Sequence, residues 1–245
     1  MKFIVVGGAG FVGHNVVQQA ESLGHECFII DNISSYVAKN HTQYISQERK
    51  KQMRANVHHI DIQNQRQLDS FFLSFAGGVG AVIYLADFPS AAVVDLDPAK
   101  AASSMPSNLI RLLELTKVHG IPKFVYVSSA AVYGSSEPNL TESSVCSPRN
   151  HYGILKLAGE QLVKHYSDYF EHVILRPSTI YGCYDTEQQL VIKFILAAMQ
   201  EQTIAVNSSA VDLVHVRDAA RGIIGATLGR NTQNKTYNIA KSQSF

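Results

Sequence analysis

Lys2-Phe-Ile-Val-Val-Gly-Gly-Ala-Gly-Phe-Val-Gly13 is the stretch on which the reading of this chain turns. A short apolar, β-branched run from Phe3 to Val6 leads into Gly7, Gly10 and Gly13 at Gly-x-x-Gly-x-x-Gly spacing. A helical pattern follows from Phe11 to Leu23. Each glycine has a physical task. One allows the tight turn out of the strand, one lets backbone N–H groups approach a pyrophosphate, and one lets the helix pack close to the sheet. Phosphates then sit at the helix N-terminus, where unpaired N–H groups and the helix dipole favour negative charge. Contacts to such a group are expected from Gly7, Gly10, Phe11, Val12 and Gly13.

Beyond this opening, β-branched runs alternate with helical patterns, which argues for a parallel sheet with helices on both faces. The expected class is α/β, a Rossmann-type doubly wound parallel sheet with a small C-terminal substrate-binding lobe. Strands are expected at Phe3–Val6, Cys27–Ile30, Val57–Ile60, Ala81–Leu85, Phe124–Ser128 and Val173–Leu175. Helices are expected at Phe11–Leu23, Gln65–Phe75, Ser107–His119, His151–Tyr169, Gln188–Gln200 and Arg217–Leu228. The polar stretch from Ser34 to Ala55 is long for a connection and is expected to carry its own short helix. After Arg176-Pro177 the pattern weakens, with short strand candidates at Ile204–Val206, Leu213–Val216 and Thr236–Ile239. The division expected is residues 1–175 for the cofactor and the catalytic side chains, and 176–245 for a shortened substrate lobe, partly interleaved with the first. The stop at Phe245, soon after a strand-like segment, reads as early.

Composition narrows the function classes. At 245 residues, 46% hydrophobic and 17% charged, the chain is an ordinary globule with a sizeable core. A net charge of +1 gives no reason to invoke nucleic acid or an anionic membrane, and no stretch approaches the ~20 apolar residues of a membrane helix. A cytoplasmic location is the expectation. The basic cluster Arg49-Lys50-Lys51 with Arg54 reads as a solvated helix face. Cys27, Cys146 and Cys183 are far apart and odd in number, and the histidines lack ligand spacing, so neither a disulfide frame nor a metal site is supported. His58-His59 at a strand end reads as structural.

Chemistry concentrates at strand ends. Asp31, 18 residues beyond Gly13, is placed to accept hydrogen bonds from both hydroxyls of an adenosine ribose and to repel a 2′-phosphate, which favours NAD over NADP. Asp31-Asn32 is also good turn chemistry. Asp61, after the third strand, can cap the adenine amino group or a turn. Tyr152 and Lys156 are one helical turn apart, so both lie on one face. A tyrosine near pKa ~10 is a poor base, and a lysine ammonium beside it stabilises the phenolate. Such a tyrosine takes a proton from a substrate hydroxyl while hydride leaves the same carbon for a nicotinamide. Ser129, ending the fifth strand, would hydrogen-bond the reacting oxygen.

Read together, Gly7–Gly13, Asp31-Asn32, Asp61-Ile62, Leu85-Ala86, Lys123–Gly134, Tyr152-Gly-x-x-Lys156, Leu175–Gly182 and Asp212–Asp218 resemble the extended short-chain dehydrogenase/reductases of the NAD-dependent epimerase/dehydratase family. The resemblance covers nearly the whole chain. It implies Ser129, Tyr152 and Lys156 as catalytic residues, with Tyr152 and Lys156 also at the cofactor and Lys156 on the nicotinamide ribose. It adds Asn32, Asp61, Ile62, Leu85 and Ala86 to the cofactor contacts, and places Ser129, Ala130 and Thr179 at the substrate. It also implies a tightly held NAD, a nucleotide-sugar substrate and a homodimer formed through the helices near Ser107–His119 and His151–Tyr169.

Departures from the family pattern are as informative. Ala130 and Ala131 occupy the places of the dehydratases' acid pair, which argues against elimination of water. Val211 stands where an arginine usually meets the diphosphate, Thr179 where an asparagine usually meets substrate, and Met105 where another asparagine is common. The leading expectation is therefore an epimerase-like enzyme working by transient oxidation of a sugar hydroxyl. A dehydrogenase or reductase of a smaller carbonyl or alcohol and a non-catalytic dinucleotide-binding protein are the alternatives.

Overall fold

In β1 (Lys2–Val6), Phe3 and Val5 pack into one apolar cluster and Ile4 and Val6 into another, and all four are fully buried. A strand buried on both faces belongs in the middle of a parallel sheet, where apolar residues run continuously instead of alternating with polar ones. The computed structural model describes residues 1–33, 39–75, 77–134, 139–186, 189–204 and 211–241, the side chains of 39–43 excepted.

Along the chain β1 is followed by α1 (Phe11–Ser22), β2 (Glu26–Asp31), α2 (Lys39–Lys51), β3 (Val57–His59), α3 (Gln65–Leu73), β4 (Val79–Tyr84), α4 (Ala91–Val94) and α5 (Pro98–Val118). Then come β5 (Lys123–Val127), a 3-10 turn (Ala130–Tyr133), α6 (His151–His165), β6 (Glu171–Pro177), β7 (Thr179–Tyr181), α7 (Leu190–Met199), β8 (Leu213–His215), α8 (Val216–Leu228) and β9 (Lys235–Ile239). Among the described residues, seven strands form one parallel sheet in the order β3-β2-β1-β4-β5-β6-β9, and β7 pairs with β8 separately. Helices α1 and α8 cover one face through Val16, Val17, Ala20, Ala220, Ile223 and Ile224. Helices α3, α5 and α6 cover the other through Leu68, Phe72, Leu109, Leu112, Leu113 and Val163. The strand order reverses between β1 and β4, and at such a switch point the loops leave a crevice at the strands' carboxyl ends.

Among the described residues the expected strands and helices are present, with instructive shifts. Helix α5 begins at Pro98, nine residues before the expected Ser107, and runs through Pro106. Asp97 caps it by accepting from Lys100 N at 3.0 Å, and Pro98 sits at the first helical position, where a missing N–H costs nothing. Helix α6 stops at His165, short of Tyr169, because Tyr166 turns inward. Its hydroxyl donates to Glu114 at 2.6 Å and its ring stacks on Phe170. The helix expected between Ser34 and Ala55 is α2. Its residue Arg49, expected on a solvated face, is instead buried, while Lys51 and Arg54 are exposed. From residue 205 on, the expected strand Ile204–Val206 lies outside the described residues, as do Gln188 and the chain end at Phe245. No described helix is long and apolar enough to cross a membrane.

Candidate active site

The glycine-rich turn is built by close approach. Gly7 adopts φ +81°, and a Cβ there would lie 2.9 Å from the backbone N of Ala86. A Cβ on Gly13 would collide with the carbonyl oxygen of Gly7. The turn is pinned by Gly7 N donating to Ile30 O at 2.8 Å and Leu85 N donating to Val6 O at 2.8 Å. Helix α1 starts with Gly10 at its N-cap, no side chain caps it, and its first turn carries no acidic residue. A helix end of this kind offers N–H donors and a favourable dipole to an anion, so the turn fits a dinucleotide pyrophosphate.

Asp31, ending β2, is committed to this turn. Its Oδ2 accepts from Ala9 N at 3.0 Å and its Oδ1 from Ile33 N at 2.7 Å. Burial pushes its carboxyl above the usual carboxylate value, against the pull of those two N–H groups and of Arg49. Asn32 beside it is exposed. Asp61 is exposed and accepts from Gln63 N at 2.9 Å, a turn-forming role, while Ile62 is core. Leu85 and Ala86 are half-buried just past β4, next to Gly7.

Arg49 joins this region to the far end of the chain. Its Nη2 and Nε donate to the Tyr184 carbonyl at 2.6 and 3.1 Å, and its guanidinium lies 6.0 Å from the Phe11 ring centroid. Burial lowers its pKa to about 10, against the pull of Asp185 and Asp31. Burial likewise raises Asp185 to about 6 and lowers His14 to about 4, so His14 stays neutral beside the turn.

The second half of the site hangs on α6. Asn150 caps the helix by accepting from Gly153 N at 2.8 Å. At Gly153 a Cβ would lie 2.6 Å from the Ala131 carbonyl, so the helix start is pressed against the turn that follows Ser129. Ser129 caps that 3-10 turn, its Oγ accepting from Ala131 N at 3.1 Å. The Tyr152 ring packs on an apolar cluster of Phe88, Val93, Val94, Ala101 and Met105. Met105 is thus a wall for Tyr152, not a polar contact. Lys156 is buried, and its Nζ lies 5.7 Å from the Tyr152 ring centroid and 5.3 Å from that of Tyr126. Its ammonium donates to Asp87 Oδ2 at 2.7 Å and to the Val127 carbonyl at 2.9 Å. Burial alone favours the neutral amine, but Asp87 and Tyr152 outweigh it and hold Lys156 above its ordinary value. Thr179 lies on β7, its N donating to Asp212 O at 3.1 Å, and Val211 lies beside Asp212 ahead of β8.

One turn beyond Lys156, Glu160 is fully buried and forms a bidentate pair with Arg176 of β6, Nε to Oε1 at 2.9 Å and Nη2 to Oε2 at 2.7 Å. Ser128, next to Ser129, donates to the same Oε1 at 2.7 Å. Arg176 Nη1 donates to the Tyr133 hydroxyl at 3.0 Å, which donates to Asn238 of β9 at 2.7 Å. Despite burial, Glu160 and Tyr133 raise the Arg176 pKa above its ordinary value.

A glycine-rich turn at the sheet's switch point, with a buried lysine one helical turn after a tyrosine on α6, is the pattern of the Rossmann-type, dinucleotide-dependent class of enzyme. The chain belongs to the NAD-dependent epimerase/dehydratase family, whose model matches residues 3–240. It is 27% identical over 258 residues to the uncharacterized UDP-glucose epimerase YtcB of Bacillus subtilis, covering 99% of this chain and 78% of the relative. It is 27% identical over 273 residues to UDP-glucose 4-epimerase of Dictyostelium discoideum, covering 100% of this chain and 77% of the relative. Among solved structures, UDP-glucuronic acid 4-epimerase from Bacillus cereus, in complex with UDP-glucuronic acid and NAD, superposes with TM-score 0.85 at 23% identity. That match covers 100% of this chain and 79% of the other and bears on the fold.

The Glu160–Arg176 pair carries a direct prediction. Glu160→Ala leaves a buried guanidinium without its carboxylate, so the variant should lose about 3–5 kcal/mol in urea unfolding. A loss below about 1 kcal/mol, the range of an exposed pair, would contradict this account.

Proposed function

We propose that the chain is an NAD-dependent epimerase of a nucleotide sugar, working by transient oxidation of a sugar hydroxyl. The observation that carries this reading is the single face of α6, where Tyr152 is wedged on the apolar cluster and Lys156 is turned into the sheet beside it. Tyr152 takes the proton of the sugar hydroxyl, and Lys156 supplies positive charge that favours its phenolate. Ser129 donates to the same oxygen as it becomes a carbonyl. Bound NAD would supply a reversible hydride acceptor for that carbon, held by the glycine-rich turn and Lys156. Gly7, Gly10, Phe11, Val12 and Gly13 take the pyrophosphate and Asp31 the adenosine ribose, with Asn32, Asp61, Ile62, Leu85 and Ala86 beside the cofactor and Lys156 donating to the nicotinamide ribose.

Residues 1–175 carry the cofactor contacts and the catalytic Ser129, Tyr152 and Lys156, and 176–245 a shortened substrate lobe partly interleaved with them, since α8 and β9 pack with the main sheet. Ser129, Ala130 and Thr179 face the sugar. Relatives named for UDP-glucose and a structural neighbour holding UDP-glucuronic acid support a uridine diphosphate sugar as the substrate class. A dehydrogenase of a smaller alcohol is the second reading. It is favoured by Val211, which carries no charge for a diphosphate, and by Thr179, which lacks the amide of an asparagine.

Tyr152→Phe should purify with as much NAD as the parent chain, yet lose about 10²- to 10⁴-fold in turnover of the sugar. Full turnover in that variant would remove Tyr152 as the base, and a parent chain that purifies without NAD would favour the second reading. A homodimer through α5 and α6 is supported by Ile110 and Ile154, exposed at 38% and 51%. Sedimentation at micromolar concentration should give twice the 26.9 kDa chain mass, and a monomer would remove this part of the proposal.

A further inference from the structure

Lys156 and Asp87 form an ion pair whose side chains are only 5% and 4% exposed. The groups facing the ammonium come from two elements and one loop. Asp87 arrives from the loop after β4, the Tyr126 ring and the Val127 carbonyl from β5, and Tyr152 and Glu160 from α6. The Tyr84 hydroxyl of β4 lies 3.5 Å from the other Asp87 oxygen. Glu160 is already matched by Arg176, so Asp87 is the carboxylate that offsets the lysine. Two of the three ammonium hydrogens are used by Asp87 and Val127, and among the described residues the third has no protein acceptor.

We propose that Asp87 is a positioning residue that fixes the Lys156 ammonium and offsets part of its charge, so that the site accepts the oxidised, cationic nicotinamide with less repulsion while Lys156 still favours the Tyr152 phenolate. The inference rests on the reading above that Lys156 lies beside the nicotinamide ribose. An unpaired ammonium there repels the cationic ring of NAD+ and is indifferent to the neutral ring of NADH. The Asp87–Lys156 pair narrows that difference while leaving one N–H to donate to a hydroxyl. Asp87 itself touches Lys156, not the reacting atoms.

The test is Asp87→Asn, which keeps a side-chain oxygen for Lys156 and removes the charge. The NAD-containing protein is titrated with NADH at about pH 6, where the lysine stays protonated, and displacement is followed by bound-NADH fluorescence. The affinity ratio of NADH to NAD+ should rise about five- to tenfold over the parent chain. A merely structural role would weaken both forms alike and leave the ratio unchanged, which overturns the inference. Should Asp87→Asn fail to fold, Asp87→Ser removes the same charge and carries the same expectation. Lys156→Ala separates the two layers. If it retains NAD as tightly as the parent, the reading of Lys156 falls and the inference with it. If it loses NAD while Asp87→Asn leaves the ratio unchanged, the inference alone falls.

Discussion

The bidentate ion pair between Arg176 and Glu160 holds the site together. Burying two charges is expensive, and the expense is offset only where geometry is good and the remaining donors and acceptors are matched. Here both guanidinium–carboxylate bonds are short, Ser128 adds a third hydrogen bond to the carboxylate, and Tyr133 takes a further N–H of the arginine. The elements so joined are β5, the turn after it, α6 and β6, with β9 attached through Asn238. Ser129 follows the first of these groups and Lys156 precedes the carboxylate by one helical turn. Ser129 and Lys156, the side chains proposed to act on substrate and cofactor, are therefore joined by a network of buried hydrogen bonds.

The glycine-rich turn and α6 meet in three consecutive residues. Leu85 N is bonded to β1, Ala86 is in near contact with Gly7, and Asp87 grips Lys156. The loop after β4 thus lies between the glycine-rich turn and the lysine, and a shift of its backbone would be felt at both. Glycine at position 7 matters for this reason as well as for its positive φ, since a side chain there would push Ala86, and Asp87 with it.

Much of this was legible in the sequence because its causes are local. Buried parallel strands read as short apolar runs, the Gly-x-x-Gly-x-x-Gly turn announces itself, and Tyr152 and Lys156 share a helix face by spacing alone. What escaped the sequence is long-range. Asp87 meets Lys156 across 69 residues and Arg49 meets Tyr184 across 135, and no periodicity encodes either. Arg49 also sat in a basic run that looked like solvated surface, and only tertiary packing distinguishes it from Lys51. Helix α5 begins nine residues before the expected Ser107 and passes through Pro106, a breaker by propensity, because the Asp97 cap and packing of Leu109, Leu112 and Leu113 carry it past.

The claim that one tyrosine removes and restores a proton while hydride leaves and returns to a single carbon is tested most directly by isotope tracing. A uridine diphosphate sugar carrying deuterium at the carbon that inverts is converted by the NAD-containing protein in ordinary water and followed by NMR. Epimerisation by transient oxidation predicts an inverted sugar that keeps its deuterium, with no label appearing in the solvent. Loss of the label to water, or a ketone that accumulates as NAD is consumed one for one, would contradict the account.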